Sequence, residues 1–105
     1  MNKEEIKNII EEKGAEFGFE IEKTNLTWGV KGTAATIQIF TETDYENTDW
    51  ENKTATIKIT ASAFISTMGG NPEPEELLNA ADEIARAAKF AKAINEMELA
   101  YEKTF

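Results

Sequence analysis

Between Pro74 and about Lys103 apolar residues return at steps of three and four, as Leu77, Ala80, Ile84, Ala87, Ala91, Ile94 and Tyr101, with Glu98 as the break in the series. That spacing gathers them on one face of an α-helix. Glu75, Glu76, Asp82, Lys89 and Lys92 lie largely off the face, so the helix is amphipathic and needs a partner surface. Gly69-Gly70-Asn71-Pro72 disfavours regular structure just before it, and the early glutamates suit the positive end of its dipole. A second, short helix is expected over Lys3 to Lys13. There Asn2 and Glu5 have the spacing of a capping pair, Ile6, Ile9 and Ile10 form the stripe, and Gly14 is placed to end it.

The partner surface is supplied by segments of period two. Phe17, Phe19 and Ile21 alternate with polar residues, and Leu26, Trp28 and Val30 continue with shifted parity, which implies a bulge in one long strand or a turn between two. The bulge is the preferred reading. Lys31-Gly32 suits a hairpin connection, and strands are expected at Thr33 to Thr41 and Lys53 to Ala61, paired antiparallel. Phe64, Ile65 and Met68 follow in a stretch left irregular. The chain is therefore expected to be one α+β domain, 1–105, in the order α-β-β-β-α. An antiparallel sheet of three or four strands would form a two-layer sandwich with both helices on the face bearing Phe19, Ile21, Trp28, Ile37, Ile39, Ile57 and Ile59.

Composition removes several kinds of chemistry. There is no histidine and no cysteine, so imidazole catalysis, thiol nucleophiles, thiolate metal sites and disulfides are excluded. No carboxylate stands beside a recognisable nucleophile, the glycines form no phosphate cradle, and Asp49 occupies the place where a calcium loop needs glycine. No enzymatic activity, cofactor or metal is expected. Twenty acidic against eleven basic residues, a formal charge of -9, repel phosphate backbones and anionic membranes, so direct binding to either is not expected. No signal-peptide pattern or membrane span is visible, and the cytoplasm is the expected compartment.

The most distinctive polar stretch runs from Glu42 to Glu51 and holds five carboxylates, two aromatic residues and no base. Asp44, Tyr45, Glu46, Asp49, Trp50 and Glu51 are the candidate partner-binding residues, with Tyr45 and Trp50 as anchors and the acids matching a basic protein surface. The competing reading is a solvated loop with Trp50 folded over the sheet edge. In size, acidity and lack of catalytic residues the chain resembles small proteins of bacteriophages and other mobile elements. Some of these inhibit host nucleases by occupying a site meant for nucleic acid. That resemblance implies a basic, nucleic-acid-binding protein as partner. The alternative is a structural module that self-associates as a homodimer. A helix of thirty residues would span ~45 Å and overhang strands of ~30 Å. Phe90, Ile94, Met97 and Tyr101 would then form its exposed end.

Overall fold

The Asn2 side chain accepts a hydrogen bond from the Glu5 amide and donates one to the Glu5 carboxylate, both at 2.8 Å, and this reciprocal cap starts α1 (Lys3–Glu16). The computed structural model describes residues 1–24, 27–31, 34–66 and 70–105, and continues with β1 (Glu22–Thr24), β2 (Thr27–Lys31), β3 (Ala35–Asp49), β4 (Thr54–Ile65), α2 (Pro74–Glu96) and β5 (Ala100–Thr104). The strands form one antiparallel sheet in sequence order, with both helices on one face. The expected α+β sandwich is the architecture found, with five strands. Asn25, Leu26, Gly32, Thr33 and Met68, together with the side chain of Trp28, lie outside the described residues. Among the described residues no helix is long and apolar enough to cross a membrane.

The core follows the alternation in the two long strands. Ala35, Ile37 and Ile39 of β3 and Ala55, Ile57, Ile59 and Ala61 of β4 are buried against Ala87, Phe90, Ala91 and Ile94 of α2. Ile6 and Ile10 bring α1 onto the same cluster. The two helices are tied by Arg86, whose guanidinium donates to the Phe17 carbonyl at 2.6 Å and to Asp82 at 2.8 Å and lies 5.0 Å from the Phe19 ring. Glu83 fastens α2 to the start of β3 by accepting from the amides of Ala34 and Ala35.

Four local expectations are corrected. First, α1 continues past Gly14, which is buried within the helix, and glycine is needed there because a Cβ would lie 2.7 Å from the Ile21 side chain. The left-handed residue after the helix is Gly18, at φ 81. Second, Phe17, Phe19 and Ile21 belong to the connection after α1 and not to a strand. Phe17 and Phe19 alternate because both rings plug against Phe90, at centroid distances of 6.3 Å. Third, the parity shift separates two strands, since Thr24 pairs with Thr27 as β1 and β2 run antiparallel. Fourth, β4 runs on to Ile65.

α2 stops at Glu96, Glu98 takes the left-handed conformation at φ 50, and the remaining residues become β5 on the outer edge of β4. The series break at Glu98 marks the helix end. Tyr101 satisfies a helical step of three or four and also the period of two with Leu99, and the unpaired edge of β4 decides between them. Where β5 runs out, the Ile59 amide donates to the Leu99 carbonyl at 2.9 Å. The Asn95 side chain then acts as one more peptide group. Its Oδ1 accepts from the Ala61 amide at 2.8 Å and its Nδ2 donates to the Ala61 carbonyl at 2.9 Å.

Truncating that side chain in Asn95→Ala removes both partners of Ala61 and should lower unfolding free energy by about 2 kcal/mol, the cost of leaving partly buried peptide groups unpaired. Glu98→Gly relieves a left-handed side chain and should raise stability by about 0.5 kcal/mol. Urea denaturation measures both. An unchanged midpoint in Asn95→Ala would mean that water serves Ala61 equally well.

Candidate functional site

The acidic stretch lies at one end of a molecule measuring 59 × 23 × 22 Å, where β3 turns into β4. Ladder pairing is regular from Ala35 opposite Ile65 to Asp44 opposite Thr56, then jumps to Asp49 opposite Thr54. The intervening residues of β3 bulge out. Asp44 organises the bulge: its carboxylate accepts from Asn47 Nδ2 at 2.7 Å and lies 3.3 Å from Lys58 Nζ. Its carbonyl accepts from the Thr48 hydroxyl at 2.6 Å, and Thr56 donates to the Asn47 carbonyl at 2.8 Å. Asp49 does the same for the turn, accepting from the Asn52 amide at 3.1 Å and from Asn52 Nδ2 at 2.7 Å.

The two clamps share one sequence. Asp-Tyr-Glu-Asn at 44–47 is followed by Asp-Trp-Glu-Asn at 49–52. In each copy the aspartate bonds the asparagine three residues on, which leaves the aromatic and the glutamate between them facing out. Tyr45 is 68% exposed and Trp50 60% exposed, yet their rings are parallel to within 6°, with centroids 6.2 Å apart. Phe105 meets Trp50 edge-on at 5.6 Å, held there by a 2.9 Å bond from its amide to the Lys53 carbonyl. Trp50 and Phe105 wall a shallow groove of about 280 Å³, lined also by Thr43, Thr48, Ala55, Ile57 and Lys103.

The six residues singled out from sequence therefore divide by task. Tyr45, Glu46, Trp50 and Glu51 are exposed together on the tip, whereas Asp44 is buried and Asp49 is turned back onto Asn52. Asn47, Asn52, Lys58 and Phe105 complete the site and escape sequence reasoning, although the repeated Asp-aromatic-Glu-Asn tetrapeptide signals the first two. A second groove, of about 480 Å³, borders Asp44 and Lys58 and reaches Asn95 and Glu98. Its charged pair is engaged in holding the bulge.

The self-association surface is redrawn by burial. Phe90 and Ile94 are 0% exposed and Tyr101 is buried under α1, with Lys3 Nζ 6.0 Å from its ring centroid. Only Met97 of the four is exposed. The overhang is at the other end of α2, where Leu77 and Leu78 stand clear of the sheet. The reason is β5: by folding back it shortens the helix and covers the end that would have projected. No family model matches the chain, and neither a curated protein nor a solved structure is significantly similar to it.

Both clamping carboxyls are held below the ordinary aspartate range, Asp44 chiefly by the Asn47 side chain against an opposing effect of burial, with Lys58 adding to the lowering, and Asp49 chiefly by the Asn52 side chain and amide. A depressed pKa contributes stability that is whole above the unfolded value and is lost as pH falls through the folded one. The tip should thus loosen below about pH 4. In a Trp28→Phe background, Trp50 emission is expected to change over that acid range. It should lose the transition when Asp44→Asn and Asp49→Asn are combined. An unaltered acid transition in that variant would show that the clamps do not order the tip.

Proposed function

We propose that this chain is a non-enzymatic binding module that docks the tip of its β3–β4 hairpin on a basic protein surface, of the kind that otherwise holds nucleic acid. The observation that carries the reading is the Tyr45–Trp50 stack, solvent-exposed and flanked by Glu46 and Glu51. Large exposed aromatics ordered before contact lose little conformational freedom on binding, and this favours them as anchors. Carboxylates around them steer a cationic surface into place and exclude anionic competitors. The groove behind Trp50 offers a recess for one side chain of the partner.

The division of labour within the acidic stretch defines how the partner is held. Asp44 and Asp49 fix the backbone, so their charge is largely answered within the chain by Lys58, Asn47 and Asn52. Glu46 and Glu51 carry the charge presented outward. An inhibitor of the type found in mobile elements would act by occupying the cleft and not by chemistry on it, which suits a chain without histidine or cysteine.

Titration against a panel of purified basic nucleases and DNA-binding proteins tests this reading. Affinity for the cognate class should fall at least tenfold between about 50 and about 500 mM salt, because screening shortens the reach of the exposed charges. Trp50→Ala should cost about 2 kcal/mol of binding, the scale of an aromatic anchor. Glu46→Gln with Glu51→Gln should flatten the salt dependence without altering the fold. Binding that is insensitive to salt and survives both changes would overturn the reading.

A further inference from the structure

The outer edge of β4 changes partner along its length. β5 pairs with Thr54 to Lys58, Leu99 takes the amide of Ile59, and the Asn95 side chain serves Ala61. Backbone groups alternate sides along a strand, so the N–H and C=O of Ala63 and Ile65 face the same way as those of Ile59 and Ala61. Among the described residues no strand pairs with them on that side and no hydrogen bond reaches them from it. Ala63 and Phe64 are exposed, and Ile65 is 76% exposed.

Open edges are ordinarily guarded by charge, proline or a covering element. This one has no charge. From Ile59 to Pro72 no charged residue occurs, the longest such run in a sequence of which 30% is charged. We infer that the Ala63–Ile65 edge pairs antiparallel with the same edge of a second copy of the chain, about a two-fold axis.

Geometry and charge both select a second copy. A register that sets Ala63 opposite the second copy's Ile65 repeats itself across the axis and closes about four backbone hydrogen bonds. It also brings the two Phe64 residues opposite each other on the face away from the helices, at a non-hydrogen-bonded position with Cα atoms ~4.5 Å apart. Copies of a chain at -9 repel, but the acidic tip is remote from this edge. From Thr54 to Ile65 β4 extends ~36 Å, several times the Debye length of ~8 Å. A basic partner would find no carboxylate on the strand to attract it. Leu77 and Leu78 are exposed at the same end of the molecule, because Glu83 anchors that part of α2 beside Ala34 and Ala35, opposite Ile65. Glu73, Glu75 and Glu76 at the start of α2 supply the residual repulsion. An edge of three residues a side falls below the ~1,200 Å² of stable complexes, so the dimer is weak and association belongs to the micromolar-to-submillimolar range of concentration.

Sedimentation velocity of the full chain between about 5 and about 500 μM tests the inference on that scale. The expected result is a monomer–dimer equilibrium that strengthens with salt, opposite to the response of the acidic tip. Ile65→Lys, at an exposed position, should abolish association while leaving circular dichroism and thermal midpoint unchanged. The chain has no cysteine. Phe64→Cys should therefore give a single crosslinked dimer on mild oxidation, and Tyr45→Cys at the tip should crosslink at least about tenfold more slowly, since only the former pair lies within disulfide reach. A strict monomer at the highest concentration, association undiminished in Ile65→Lys, or equal crosslinking of the two cysteine variants would each overturn it.

Discussion

Every peptide group on the outer edge of β4 has to find a partner, and much of this fold is arranged by how that requirement is met. β5 meets it near the tip, a side-chain amide meets it in the middle, and at the far end it is met by nothing within the described chain. The first solution determines where α2 ends, because residues that continue its apolar series are drawn into the sheet. The second determines where α2 sits, because Asn95 can reach Ala61 only if the last turns of the helix cross that edge. Glu83, bonded to the amides of Ala34 and Ala35, fixes the other end of the same helix. Polar contacts at two points along α2 therefore set its angle on the sheet, while burial of Phe90 and Ile94 supplies the stabilisation.

The tip shows how a short chain with many carboxylates keeps an ordered acidic surface. Like charges in one loop would drive it open, so two of the acids are turned inward onto asparagine donors. Those inward bonds bring Tyr45 and Trp50 into register and leave Glu46 and Glu51 outside. Phe105 adds the third ring because β5 returns the C-terminal residues to Lys53. The order of the tip is thus linked to the same edge strand that shortens α2.

How much of this was legible from the residues depended on whether one period explained them. Thr33 to Thr41 and Lys53 to Ala61 alternate without competition, and their pairing, their buried face and the α+β sandwich followed from that alone. Phe17, Phe19 and Ile21 alternate equally well, but the two rings pack against Phe90 and Ile21 lies against Gly14 of α1, because period two states which side chains turn together and not whether the backbone has a ladder partner. Tyr101 fitted a helix and a strand at once, and only the non-local demand of β4 resolved it. The tip was legible as a composition and not as an arrangement. Abundance of acids drew attention to the right segment, while the repeated tetrapeptide at 44–47 and 49–52 carried the information about which acids face inward.

These features place two unlike surfaces at the two ends of one hairpin. At the tip, charge is concentrated and aromatic rings are ordered in water. At the other end, a bare strand edge without charge lies beside exposed leucines, with the glutamates that open α2 as the nearby charge. Salt acts oppositely on the two, since screening weakens attraction between unlike charges and relieves repulsion between like ones. If the far edges of two copies join, the acidic tips point away from each other, and one assembly presents two of them. A partner with paired basic clefts would then be held at both, and the second contact would form at an effective concentration set by the rigid span of the sheet and not by diffusion. A weak edge contact is sufficient for that effect, because it need only persist while the first tip is bound.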